Sequence, residues 1–261
     1  MLKLERVRKA FRSGQDVVVA LGGIDLDLEK GDFLTVIGSN GAGKTTLLNI
    51  IAGTILPTVG RVMVKDRDVT TLPTHRRARW IGRITQDPLA GTAPMMTIAE
   101  NLALASKRSH RSLRLAITRR RRREMVDEML SLGMNLAHRL DDPVSLLSGG
   151  ERQALTVTMA TLAQPEILLL DEHTAALDPA NGTKVSLLTQ EFVERMGVTT
   201  IMVTHNMEHA LALGNRLLMM NKGEVVYDFS GEKKKSLTVI NLVDLFSNQH
   251  IVDDELLLET R

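Results

Sequence analysis

Apolar and polar positions alternate through the first thirty residues. Leu2, Leu4 and Val7 begin one strand, Ser13 to Asp16 read as a turn, Val17 to Leu21 form a second strand, and Ile24, Leu26 and Leu28 a third. Phe33, Leu34, Val36 and Ile37 then make a continuous apolar run, the pattern of a strand buried on both faces, which stops at Gly38. Leu47, Leu48, Ile50 and Ile51 switch to helical spacing, and Gly53 is placed to end that helix. After a turn at 57–60, Val62 to Val64 predict a strand, a basic helical segment ends near Trp80, and Ile81 to Thr85 predict another strand.

Residues 89–146 change character: Ile98, Leu102 and Ala105 recur at helical spacing, and Met125, Met129, Leu130 and Leu132 do so before Gly133. The strand period returns at Ile167 to Leu170, Val198 to Val203, Leu217 to Met220 and Val225 to Tyr227, with a helix after the Leu177-Asp178-Pro179 turn. Leu237 to Phe246 and Asp254 to Glu259 predict a helical tail. Strands alternating with helices argue for an α/β core. The expected division is 1–88 for an antiparallel β subdomain and the first part of the core, 89–146 for an inserted helical subdomain, 147–229 for the rest of the core, and 230–261 for the tail.

Composition narrows the function classes. The 261 residues hold no cysteine, which removes disulfides, thiol catalysis and cysteine-ligated zinc. No apolar stretch is long enough to cross a bilayer, and no secretory leader is expected at the N-terminus. A net charge of +2 is too mild to imply nucleic acid. Charge is nevertheless uneven: Lys107, Arg108, Arg111, Arg114 and Arg119 to Arg123 form a basic block without an acidic residue, readable as a solvated helix face or as a contact for phosphate, lipid or an acidic protein.

The chemistry gathers at strand ends. Gly38, Gly43, Lys44 and Thr45 have the spacing of a phosphate-binding loop: small residues let backbone N–H groups close on anionic oxygens, Lys44 brings charge to the outer phosphates, and the Thr45 hydroxyl suits Mg²⁺. Asp171 and Glu172 end a buried strand, one suited to a Mg²⁺ shell and the other to orienting water. His205 follows another strand and suits a phosphoryl oxygen, though alone such a histidine is more often structural. Gln86 offers an uncharged oxygen to a metal or water shell. Ser148, Gly149 and Gly150 open a helix and offer either a second phosphate surface or a simple turn. Phe11 offers a face for an adenine ring or an ordinary core contact.

Taken together, these motifs resemble the ATPase subunit of ATP-binding cassette transporters over nearly the whole chain. Gly38, Ser39, Asn40, Gly41, Ala42, Gly43, Lys44, Thr45 and Thr46 match the Walker A loop. Gln86 matches the Q-loop, Leu147 to Gln153 the signature sequence, Ile167 to Glu172 the Walker B strand, Ala176-Leu177-Asp178 the D-loop, and His205 the switch histidine. Two positions depart from the usual pattern: Ala176 stands where serine is usual, and Phe11 where tyrosine is commoner.

The resemblance implies a P-loop NTPase with a RecA-like core, an antiparallel β subdomain and an inserted α-helical subdomain. It also implies a Mg²⁺-dependent ATPase with Glu172, His205, Lys44 and Gln86 as catalytic residues and Thr45, Gln86 and Asp171 around the metal. The expected assembly is a head-to-tail homodimer in which Ser148 to Gly150 of one subunit cap the ATP of the other. It would lie peripherally on the cytoplasmic face of the membrane, against permease subunits near Gln86 and residues 91–96. An external solute-binding protein would be an indirect partner, and the chain itself would not bind cargo. The finer resemblance is to bacterial importer ATPases that work with a permease of the branched-chain amino-acid or sugar type and a lipoprotein-like binding component; the 91–94 stretch and Asp171 to Asp178 resemble a subgroup for amino-acid-like substrates, aromatic ones included. Nucleic acid is not expected as a partner; a soluble ATPase of this type acting on nucleic acid or ribosomes, and an exporter ATPase, are the alternatives.

Overall fold

The computed structural model describes residues 1–14, 16–87, 89–106, 117–131, 136–162, 164–172, 174 and 177–248. Two compact units divide the chain: Met1–Ile81 together with the chain from Val198 onward, and Gly82–Gly197.

The first unit opens with strands β1 (Leu2–Ser13) and β2 (Asp16–Leu28), followed by β3 (Phe33–Gly38), helix α1 (Lys44–Ala52), β4 (Val59–Val64), β5 (Arg67–Asp68) and α2 (Thr74–Arg77). The two strands expected at 17–21 and 24–28 are one strand. Gly22 and Gly23 read as a break, but the backbone continues through them. Register shifts opposite Val7, Arg8 and Ala10 absorb the bend as bulges, so pairing with β1 runs from Leu2–Leu28 to Ser13–Asp16. The antiparallel sheet has the order β2-β1-β4-β5. The basic segment expected to be helical nearly to Trp80 stops at Arg77, whose side chain turns inward.

The second unit begins at the strand β6 (Ile81–Ile84) and continues with α3 (Ile98–Ala105), α4 (Arg119–Ser131), two 3₁₀ turns, α5 (Gly149–Leu162), β7 (Ile167–Asp171) and α6 (Pro179–Met196). β6 lies beside β7, and α5 packs on α3 and α6. Met125 and Met129 are buried, as packing residues should be, whereas Met95 is 87% exposed. Buried Asn101 explains that exposure: its amide oxygen accepts from Ala93 N–H (2.7 Å) and its amide nitrogen donates to the Ala93 and Thr97 carbonyls (3.1 and 3.0 Å), fixing the loop that presents Met95. Within the described part of the basic block, Arg120 pairs with Glu124, Arg122 with Asp141, and Arg121 donates to Ser106. Residues 107–116 of that block, with Leu132 and Gly133, lie outside the described residues.

The chain returns to the first unit through β8 (Thr199–Val203), α7 (Met207–Ala212), β9 (Arg216–Asn221), β10 (Glu224–Ser230), α8 (Gly231–Lys235) and α9 (Val239–Asn248). Here β3 runs parallel to both β8 and β9, with Leu34 opposite Ile201 and Val36 opposite Leu218; β10 closes the edge antiparallel to β9. β3 and β8 are wholly buried, which is why both read as unbroken apolar runs. α9 lays Leu242 and Phe246 against Ile37, Leu217 and Met219. The helix expected at 254–259 lies outside the described residues.

Candidate functional site

At the end of β3 the chain makes a tight loop whose glycines are required by geometry. Gly43 has φ +98°, and a side-chain carbon there would lie 2.5 Å from the Ala20 carbonyl oxygen. At Gly38 such a carbon would lie 2.3 Å from the Met220 carbonyl oxygen. The loop is braced from two sides: Gly223 N–H donates to the Ala42 carbonyl (3.0 Å), and Gly22 N–H donates to the Gly223 carbonyl (2.8 Å). Thus the β9–β10 turn and the Gly22 bulge of β2 support the loop from behind.

Lys44 is buried inside the turn, its ammonium donating to the carbonyls of Gly38 (2.6 Å) and Ser39 (3.0 Å). Gly43, left-handed, precedes α1 without contributing a side-chain cap, so the first-turn N–H groups face outward with the positive end of the helix dipole. Asn40 and Gly41 are exposed on the loop, as is Thr45 at the first turn, and Thr46 is half-buried.

β3 and β8 are parallel, so the phosphate loop and His205 emerge from the same edge of the sheet. Thr204 N–H donates to the Val36 carbonyl (3.2 Å). Asn206 then caps α7, its side chain accepting from His209 N–H at 2.8 Å, so His205 sits in a turn fixed on both sides. The helix was not legible as such in the sequence. Phe11 lies at the far end of β1 opposite Val18, with the Lys9 ammonium 4.9 Å from its ring centre.

In the second unit, Asp171 ends the fully buried β7 and is 8% exposed. Its Oδ2 accepts from Arg83 Nη2 of β6 at 2.9 Å. Glu172 takes a left-handed backbone, φ +45°, which costs a non-glycine residue about 1–2 kcal/mol. Gln86 is exposed in the bend after β6, where Thr85 Oγ1 donates to the Asp87 carbonyl (2.9 Å) and Asp87 Oδ1 accepts from Leu89 N–H (2.8 Å).

Ser148 precedes α5 in a reciprocal capping box: its N–H donates to Glu151 Oε2 (2.9 Å), and its hydroxyl oxygen accepts from Glu151 N–H (3.3 Å). That backbone hydrogen bond, opposed by partial burial and aided by the Ser148 hydroxyl and Arg139, holds the Glu151 carboxyl below its usual range. The cap leaves the Ser148 hydroxyl proton free to point outward, beside Gly149 and Gly150 at the helix N-terminus. Ala176 lies outside the described residues.

The donors of the loop fit the phosphates of a nucleotide. The loop supplies N–H groups and one ammonium. For the cation, the described residues contain no cluster of three acidic, histidine or cysteine side chains, so a protein-only cage is absent among them. A hydroxyl, one carboxylate and substrate oxygens are the donors Mg²⁺ usually takes in phosphoryl-transfer sites.

The model of the ABC transporter family matches residues 21–175, more than half of the chain. The chain belongs to the ABC transporter family. Its sequence is 41% identical over 249 residues to a tyrosine transport ATP-binding protein of Clostridioides difficile strain R20291, covering 94% of this chain and 98% of the relative. It is 35% identical to the spermidine/putrescine import ATP-binding protein of Thermobifida fusca, of which it spans 56%, and 35% identical to a methionine import ATP-binding protein of Rhodococcus jostii, of which it spans 65%. A solved dimeric ATP-binding cassette, bound to ADP and Pi in a post-hydrolysis state, superposes with a TM-score of 0.76 at 29% identity, covering 88% of this chain and 98% of that one.

As an ABC transporter subunit the chain is a Mg²⁺-dependent ATPase of α/β fold, with the RecA-like P-loop core and helical subdomain of that family. Among its described residues no helix is long and apolar enough to cross a membrane. Several supports of the ABC site were invisible in its motifs. Arg83 lies inside the strand expected at 81–85, and Gly22 and Gly223 fall between expected strands, so no motif singled them out. Only the pairing of distant strands brings them to the loop and to Asp171.

Proposed function

We propose that this chain hydrolyses ATP to drive import of an amino-acid-like solute, aromatic amino acids included, from the cytoplasmic face of the membrane. The observation that carries this reading is the 41% identity, over nearly the full length of both proteins, with a tyrosine transport ATP-binding protein. We assign the site residue by residue. The loop from Gly38 to Thr46 holds the phosphates, with Lys44 already buried among its carbonyls, and Phe11 offers its ring to the adenine. Thr45, Asp171 and Gln86 serve the Mg²⁺ shell, and the ion when bound supplies neutralising charge to the phosphoryl oxygens. Glu172 orients the attacking water, and His205 donates to a phosphoryl oxygen.

Two copies would pair head to tail, so that Ser148, Gly149 and Gly150 of each close the nucleotide of the other. The stretch 89–146 would act as the inserted helical subdomain. Its exposed Met95, on the loop clamped by Asn101, suits the short helix of a permease subunit, an unbranched thioether adapting well to a partner surface. Cargo recognition would then belong to the permease and an external binding protein.

The test is capture of the membrane subunit on a tagged chain, followed by reconstitution of the complex with its binding protein in proteoliposomes. ATP-dependent accumulation of radiolabelled tyrosine on the ATPase side of the bilayer, competed by other aromatic amino acids, is expected. ATP-dependent movement in the other direction, or copurification with ribosomes or nucleic acid instead of a permease, would overturn the reading.

A further inference from the structure

Arg83 and Asp171 form an ion pair that no phosphate-site motif requires. Arg83 projects from β6 and Asp171 ends the neighbouring β7, with Nη2 2.9 Å from Oδ2. Both side chains are largely shielded, at 22% and 11% exposure, so screening by solvent is reduced and the attraction exceeds that of a surface pair. The aspartate is the most buried carboxylate of the site, and a lone charge so placed would be costly.

We propose that Arg83 is a positioning residue for divalent-cation binding: its guanidinium holds the Asp171 carboxylate in place and competes with the cation for its negative charge. The inference rests on the assignment of Asp171 to the Mg²⁺ shell. The competition has a sign. An incoming divalent ion must share the carboxylate with a fixed cation, so Arg83 weakens cation binding while keeping the carboxylate oriented and paired before the ion arrives. Chelation by the nucleotide adds what the carboxylate alone does not, so the ion would be retained with ATP and released readily without it.

The test measures equilibrium Mn²⁺ binding by electron paramagnetic resonance on the full chain saturated with the nonhydrolysable analogue AMP-PNP, in wild type, R83Q, R83K and D171N. R83Q keeps a hydrogen-bond donor but removes the charge. It should tighten Mn²⁺ by about threefold or more, because a fixed cation 2.9 Å from the carboxylate no longer opposes the incoming ion. R83K keeps the charge without the planar fork and should stay within about threefold of wild type. Binding of the analogue without metal should be equal in all four. If D171N weakens Mn²⁺ while R83Q leaves it unchanged or weaker, Arg83 is a structural brace and the inference fails. If D171N leaves Mn²⁺ unchanged, the metal assignment of Asp171 fails first and takes the inference with it. Should R83Q not fold, R83K decides: a tightening beyond tenfold with the charge retained would overturn competition as the cause.

Discussion

Arg77 is the buried charge on which the phosphate-loop helix depends. Its side chain is wholly inaccessible, at 0% exposure, and four of its N–H groups are spent on backbone carbonyls. Nη1 donates to Ile50 (2.6 Å) and Ile51 (2.8 Å), Nη2 to Thr70 (2.8 Å), and Nε to Leu72 (2.8 Å). Ile50 and Ile51 belong to the last turn of α1, where the dipole is negative and the Ile50 carbonyl also accepts from Gly53 N–H (3.2 Å), so the guanidinium adds to the C-terminal cap. Burial lowers its pKa below the ordinary guanidinium range, with Asp68 partly opposing.

Replacing Arg77 with alanine would remove these hydrogen bonds and open a cavity. Charge-assisted hydrogen bonds contribute about 1.5–3 kcal/mol each but do not add, and breaking a buried charged network costs about 3–5 kcal/mol, so R77A should lose about 4 kcal/mol. Taking a urea slope of about 3 kcal/mol/M gives a midpoint shift of about 1.3 M. R77K, with one ammonium in place of the fork, should lose about half as much. Urea unfolding followed by circular dichroism checks this; an R77A loss below about 1 kcal/mol would refute the capping argument.

Three further predictions follow from the same geometry. G43A must place a side-chain carbon 2.5 Å from the Ala20 carbonyl at φ +98°, and should lose about 2–4 kcal/mol of stability with at least tenfold weaker ATP binding, measured by melting and nucleotide fluorescence. Burial pulls Lys234 down to about 8 from 10.5, its ammonium facing the carbonyls of Leu213 and Gly214 and the Thr35 hydroxyl. Between those values the unfolded chain holds more protons than the folded one, so the burial penalty fades and the Lys234 share of stability rises with pH, by about 3 kcal/mol in all. Comparing wild type with K234M from pH 7.5 to 10.5 should isolate that rise, and parallel curves would refute it. E172Q should retain ATP binding while phosphate release falls about 10²–10⁴-fold; near-normal turnover would remove Glu172 from its assigned role.

What the sequence made legible was whatever local pattern dictates. Buried parallel strands leave unbroken apolar runs, so β3, β7 and β8 were readable to within a residue or two, and with them the strand ends that carry Gly38, Asp171 and His205. β2 was misread because Gly22-Gly23 signals a turn locally, while its long pairing with β1 keeps the chain extended. Helices α7 and α8, of six and five residues, are too short to establish a period. Arg77 read only as one residue of a basic helical segment, because nothing local reveals that the carbonyls of α1 lie within its reach. The Arg83–Asp171 pair spans 88 positions and depends on strand order, which hydrophobic pattern does not encode.

The claim that two chains share each ATP is tested most directly by mass measurement of the purified E172Q chain, with and without ATP, by light scattering after size exclusion. The account predicts a monomer alone, a dimer with ATP, and a return to monomer when S148R is added to E172Q. A hydrolysis-blocked chain that binds ATP yet stays monomeric, or a dimer indifferent to S148R, would contradict it.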